Sequence, residues 1–410
     1  MTGTRIAITG CGVFCGAAPS FPRFCDAILQ GKSGIGPLDL FDVAPFPAKI
    51  GAQVRDYDPA ALFPRRLLKR LSRTDQFALL AAQEALTMSA LTGSYDPYAM
   101  GVCIGGGAAG MLQAEQWLAA RLRHEDAPAD LLRGVLPDKT GTELARAFGL
   151  AGYQGSITTA CSSSATAIGW AADLIRTGRQ QAMLCGGADS LALLTFAGFN
   201  ALRVMDPEPC APFSLGRQGI TLGEGAAFVV LERESAARKR GATILGYILG
   251  YALAGEAYHM TAPEPSGEAA SRVMRTALSL AGAEPHWVGW VNAHGTGTPL
   301  NDLVESSAVK RLFGKRAPQV PLISTKPITG HCLGAAGAIE AVATLVALRA
   351  KTIPQTLNFR GADPACDLDY GHQGSRPSDS TIALSNSFAF GGNITSLVMG
   401  AADLPQEWCC

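Results

Sequence analysis

The chain is short of charge. Only 17% of its 410 residues are Asp, Glu, Lys or Arg, and 34 basic residues balance 34 acidic ones. So little charge, with no excess of either sign, excludes a disordered chain. It also argues against a global nucleic-acid or membrane-surface role, while leaving room for a local basic patch. Long apolar runs are missing as well: none reaches the roughly 18 residues that a membrane span needs. The opening MTGTRIAITGCGV has no charged leader ahead of an extended apolar region, so no signal peptide is expected. Paired cysteines are also lacking. The 11 cysteines are scattered, none at metal-ligand spacing, and a chain of this length has no need of a disulfide framework. Free thiols point to the cytoplasm.

What is present is an apolar, glycine-rich chain, 48% hydrophobic with 47 glycines. That composition suits a deeply buried enzyme core, and the length suggests two domains or an internal duplication. Strand-like runs (RIAITGCGV, MGVCIGGG, QQAMLCGGAD, AAFVVLERE) alternate with helical stretches such as RTDQFALLAAQEALTMSA, which predicts an α/β fold. The second half repeats the scheme: GATILGYILGYAL, EAASRVMRTALSLAG, WVGWVNAHGTGT, NDLVESSAVKRLFG, GHCLGAAGAIEAVATLVALRA and the strand pair in TIALSNSFAFGGNITSLVMG. The join falls at 237–244, giving an N-terminal half 1–240 and a C-terminal half 241–410 with a loose tail 404–410 that ends in Cys409 and Cys410. Two small-residue helices correspond between the halves. One opens at Cys161 and the other at His331, and both can pack closely at the centre of a layered αβαβα core.

Four stretches carry chemistry. In TTACSSSATAIG, Cys161 stands at a helix start, where unpaired N–H groups and the helix dipole favour thiolate. Taken alone, a small buried cysteine is more often inert. In VNAHGTGTPLNDLVE, His294 ends a strand, Gly295 and Gly297 allow close approach of a ligand, and Thr296 and Thr298 offer hydroxyls. In STKPITGHCLGAAG, Lys326 lies in apolar surroundings and needs an anion, for which Glu305 is the expected partner. His331 follows in the same stretch. In SNSFAFGGN, Phe390 precedes Gly391 and Gly392, a pattern suited to a swinging gate. One cysteine and two histidines at element ends supply a nucleophile and two donors to a developing oxyanion.

With TTACSSSATAIG, NAHGTGTPLND, KPITGHCLGAAG and NSFAFGGN in this order and spacing, the chain resembles the β-ketoacyl-(acyl-carrier-protein) synthases, specifically the FabF-like elongating branch of the thiolase superfamily. The resemblance spans roughly residues 4 to 402. It implies a thiolase-like fold of duplicated βαβαβαββ halves in a five-layered αβαβα core. It also implies decarboxylative Claisen condensation of a malonyl carrier protein with an acyl chain on Cys161. His294 and His331 would hydrogen-bond the malonyl thioester oxygen, and Lys326 with Glu305 would organise the site. The backbone N–H groups of Cys161 and Phe390 would form an oxyanion hole beside Gly391 and Gly392. Thr296 and Thr298 would hold the phosphopantetheine arm. No metal or diffusible cofactor is implied. The acidic acyl carrier protein would dock on Arg65, Arg66, Lys69, Arg70 and Arg203, and a homodimer, or a heterodimer with a chain-length subunit, is implied.

Some positions depart from the family pattern. Ala389 replaces the usual Gly and Asn393 the usual Thr; Ser214 and Gln218 stand where acids are usual. Ala108 is smaller than the usual residue beside the acyl pocket, which suggests room for a longer or stiffer chain. ACSSSA is closer to polyketide-type ketosynthases than to the housekeeping form. Together these suggest a specialised polyketide or polyene pathway, with housekeeping fatty-acid elongation as the alternative. A non-catalytic chain-length subunit would lack the cysteine, a degradative thiolase would carry other motifs, and an initiating synthase would have Asn in place of one histidine.

Overall fold

A computed structural model describes residues 4–55 and 57–404; Cys409 and Cys410 lie outside them. Ten strands form one sheet: β1 (Ile6–Cys15), β2 (Met100–Gly105), β3 (Gln154–Ile157), β4 (Ala182–Asp189), β5 (Gly225–Arg233), β6 (Gly246–Gly255), β7 (Trp290–Asn292), β8 (Leu322–Ile323), β9 (Ile382–Ala389) and β10 (Asn393–Ala401). Their order is β3-β2-β4-β5-β1 followed by β6-β10-β9-β7-β8. Read from its own first strand, each half repeats the same order and directions. β2 and β3 run parallel, as do β2 and β4, while β5 is antiparallel to β4 and β1. β7, β8, β9, β10 and β6 repeat this pattern. The halves meet where Ile6, Ala7 and Ile8 pair with Ile248, Tyr247 and Gly246.

Six helices make the layers: α1 (Arg73–Ser89), α2 (Lys139–Phe148), α3 (Ser163–Arg176), α4 (Glu268–Leu280), α5 (Pro299–Phe313) and α6 (Ala336–Arg349). α1 starts at a capping box, with the Ser72 side chain accepting from Asp75 N–H and the Asp75 carboxylate accepting from Ser72 N–H. Its Phe77 and Ala81, with Leu144 of α2, pack on Val102, Leu184 and Val230. Neighbouring residues on the same strands point the other way, as the pleat requires. Met183 and Val229 therefore join Ile168 and Ala172 of α3 and Val342 of α6 in the central cluster, with Ala383 and Leu397 from the second half. On the far face, Met274 and Val309 cover Val291, Leu384 and Val398. The result is the expected αβαβα layering of a thiolase-like α/β fold.

The two central helices meet closely. A Cβ on Gly337 would come within 2.8 Å of Ala165 N. Ala338 N–H donates to Ser164 Oγ at 2.9 Å. Each helix is preceded by a 3-10 turn, Ala160–Ser162 in one half and Leu333–Ala335 in the other. Each turn opens on a left-handed residue, Ala160 at φ 49 and Leu333 at φ 50. This fixes the internal correspondence differently from the sequence expectation: Cys161 corresponds to Gly334, not to His331. His331 lies ahead of the turn, paired to Leu222 in an isolated bridge. Among the described residues no helix is long and apolar enough to cross a membrane.

Candidate active site

The chain turns sharply between β3 and α3, and Cys161 sits on that turn. A residue with a side chain at positive φ, here Ala160, is uncommon and marks the bend. Cys161 Sγ lies 3.1 Å from His331 Nε2, and the Phe390 backbone N–H faces the sulfur. The expectation that the helix start acidifies this thiol does not hold in this enclosed setting. Burial pushes Cys161 up to about 12; the Lys326 cation opposes that rise, and Asp189 and Glu340 add to it. The resting nucleophile is therefore a thiol whose proton must be taken away during reaction.

His294 follows β7 on a loop held by a carboxylate. Glu305, on α5, accepts the backbone N–H groups of His294 and Gly295 at 2.9 Å each and the Asn386 side-chain amide at 3.1 Å. It is not the partner of Lys326. That partner is Glu340 of α6, whose carboxylate pairs with Lys326 Nζ in a fully buried ion pair. The physical reason is that both oxygens of Glu305 are already engaged by the loop, whereas Glu340 sits on an apolar helix with no other cation beside it. Lys326 also donates to the His294 carbonyl and lies 3.3 Å from His294 Nδ1. An ammonium against Nδ1 leaves the ring proton on Nε2. His331 Nδ1 has no hydrogen-bond partner among the described residues, so that ring is not locked in one tautomer.

The two imidazoles lie 5.3 Å apart at 85°. Burial, reinforced by Lys326, holds both well below the usual histidine range, so both are neutral. Burial also pushes Glu305 and Glu340 up to about 7. Cys161, His294, His331, Thr296, Thr298 and Phe390 share the lining of one cavity of about 270 Å³. The Thr296 and Thr298 hydroxyls are 3.0 Å apart. Phe390 stacks on Phe199 at 5.7 Å, and Gly391 and Gly392 adopt φ 85 and 77. A thiol, two neutral imidazoles and a buried cation around one small cavity can transfer an acyl group and stabilise an oxyanion.

Residues 3–237 match the N-terminal domain of the family described as beta-ketoacyl synthase, and residues 245–360 match its C-terminal domain. The chain belongs to the β-ketoacyl synthase family. It is thus a condensing acyltransferase that forms carbon–carbon bonds. It is 35% identical over 403 residues to 3-oxoacyl-(acyl-carrier-protein) synthase 2 of Synechocystis sp., covering 96% of this chain and 97% of that one. It is 36% identical over 392 residues to Nodulation protein E of Rhizobium meliloti, covering 95% and 97%. Among solved structures, the ishigamide ketosynthase/chain length factor superposes with a TM-score of 0.90 at 32% identity, covering 97% of this chain and 99% of that one.

The remaining positions of interest in the synthase lie outside the lining of this cavity. Arg65 and Arg66 lie on the short helix Arg65–Leu68 and are exposed with Lys69 and Arg70; Arg70 also pairs with Glu143. Arg203 is exposed beside Val204, a cavity-lining residue. Ala108 does not line the cavity; it packs in a satellite cluster with Phe196, Phe199 and Leu333. Glu340 was missed, although a lone carboxylate inside AIEAVATLV signals a buried cation. Asn386, which donates to Glu305, and Asp189 gave no comparable signal. Among the described residues no cluster of three or more His, Cys, Asp or Glu could hold a metal.

Proposed function

We propose that this synthase elongates acyl chains carried on the phosphopantetheine of an acyl carrier protein. Cys161 attacks the incoming thioester; His331 accepts the thiol proton and returns it to the departing pantetheine sulfur. A malonyl carrier protein then enters and loses carbon dioxide. His294, protonated on Nε2, and His331 stabilise the enolate oxygen, and the carbanion attacks the acyl carbonyl; the C–S bond to Cys161 breaks, leaving the β-ketoacyl product on the carrier and a Cys161 thiolate that takes up a proton from solvent. The Cys161 and Phe390 amides receive the oxyanion of that attack. Lys326 with Glu340 orients His294, Glu305 fixes the His294–Gly295 loop, and Thr296 and Thr298 hold the pantetheine arm. Phe390 with Gly391 and Gly392 gates the cavity. Arg65, Arg66, Lys69, Arg70 and Arg203 form the carrier landing site, and Ala108, behind the wall in the cluster that also holds the cavity-lining Phe199, leaves that wall room to give way to a longer acyl chain. The halves 1–240 and 241–410 contribute Cys161 and the His–His–Lys set respectively. The enzyme works in the cytoplasm as a dimer and needs no separate cofactor.

We place it in a specialised polyketide or polyene pathway. The serine-rich ACSSSA, the small Ala108 and Ala389 at the gate support this, as does likeness to proteins named for nodulation and for ishigamide. The single observation that carries the catalytic reading is the 3.1 Å contact of Cys161 Sγ with His331 Nε2. Intact-mass spectrometry after incubation with acyl carrier proteins of several chain lengths tests it. A covalent acyl adduct on the wild type, absent in Cys161→Ala, is expected. A folded wild type left unmodified by every donor would overturn it.

A further inference from the structure

The internal duplication gives this chain two elbows, and only one carries a nucleophile. The second, at Gly334, has its backbone N–H at the start of α6 as Cys161 has its own at the start of α3. That second N–H donates to the carboxylate of Asp189 at 2.7 Å. The same carboxylate accepts from Gly107 at 2.8 Å, Ala108 at 2.8 Å and Ala109 at 2.9 Å. Asp189 is fully buried. It ends β4 as Ala389, next to the gate residue Phe390, ends β9.

Four backbone donors on one buried carboxylate make a rigid knot. It ties the 107–109 loop to the second elbow, and both ends of the tie reach the nucleophile's surroundings. Ala108 and Leu333 pack in one cluster with Phe199, and Phe199 lines the cavity that holds Cys161. Ala109 is itself strained, at φ 45, so the loop keeps its shape only while it is held. Resting on the condensing function proposed above, we infer that Asp189 is a positioning and specificity-determining residue, setting the wall against which the Cys161-bound acyl chain lies. No side chain other than a carboxylate can accept from four donors at once, and Asn would turn an N–H₂ against N–H groups.

Asp189 also contributes negative charge near Cys161, together with Glu340 and against Lys326, while His294 and His331 face the thiol as neutral rings. Removing that charge makes the thiol easier to ionise. This effect of charge accompanies any loss of the carboxylate, so the chain-length ratio, which a merely structural role would not move, is what separates the two explanations.

The test compares wild type, Asp189→Asn and Asp189→Glu in two assays: acylation of Cys161 by medium- and long-chain acyl carrier proteins, and the pH profile of iodoacetamide alkylation. Asp189→Asn is expected to change the medium-to-long acylation ratio by about tenfold and to move the alkylation midpoint to lower pH. Asp189→Glu keeps the charge, so it is expected to change the ratio and keep the midpoint. A folded Asp189→Asn with the wild-type medium-to-long acylation ratio would overturn the inference, whatever its alkylation midpoint. If Asp189→Asn fails to fold, an unchanged ratio in Asp189→Glu overturns it. Failure of the condensing reading looks different, because the wild type itself then takes up no acyl group.

Discussion

At the scale of single residues, the site is governed by which carboxylate faces which partner. Glu340 neutralises Lys326, and Glu305 holds the His294–Gly295 loop. These roles separate in experiment. Glu340→Gln leaves Lys326 uncompensated, so Cys161 alkylation is expected to shift to lower pH; Lys326→Met removes the cation and is expected to shift it to higher pH. Opposite shifts in the two variants are the expected result, and equal profiles would refute the buried pair as a control on the thiol. Glu305 predicts a different pH dependence. Its folded-state value is raised to about 7 from the ordinary glutamate value of 4.5. The folded protein therefore binds more protons than the unfolded chain between those values. That contribution to stability is fully present below 4.5 and is lost as pH rises through about 7. In Glu305→Gln the contribution is absent. The Tm of wild type relative to Glu305→Gln is thus expected to fall from pH 5 to about pH 7.5 in parallel thermal melts.

At the scale of elements, the two small-residue helices explain why the site lies at the centre of the chain. α3 and α6 approach until Gly337 leaves no room for a side chain, and a Cβ there would also sit 2.8 Å from Ser387 Oγ. Gly337→Ala is expected to destabilise the protein by about 1–3 kcal/mol through overpacking. Urea unfolding checks this, and a change near zero would mean the helices can separate at little expense. The close packing was legible in the run of Ala, Gly and Ser. The elbow correspondence was not, because His331 looked like the start of the second helix. The backbone settles it through paired left-handed residues, and φ leaves no trace in sequence when the residue is Ala160 or Leu333 rather than glycine.

At the scale of the whole molecule, the alternation of strands and helices exposed the duplication, whereas the strand order is set by packing between distant segments. β8, two residues long, gave no periodic signal at all. Cys161, His294, Lys326 and His331 were legible because each stands in a short stretch with few structural reasons for its chemistry. Partners such as Glu340 required knowing which helix faces which. The same reasoning applies to the outer surface. The chain is neutral overall, so the carrier docking proposed above would have to rest on a local field, for which Arg65, Arg66 and Lys69 provide three exposed cations on one short segment. Exposed charges of this kind act mainly on encounter and are screened over roughly 8–10 Å at physiological salt. Arg65→Glu combined with Arg66→Glu is therefore expected to raise KM for the acyl carrier protein by about tenfold and leave kcat nearly unchanged. Reaction with a small pantetheine thioester, which needs no landing site, is expected to be unaffected. Raising the ionic strength should weaken wild type toward the double variant. An equal loss with both substrates would instead place the damage in the fold or the cavity and remove this helix from the docking surface.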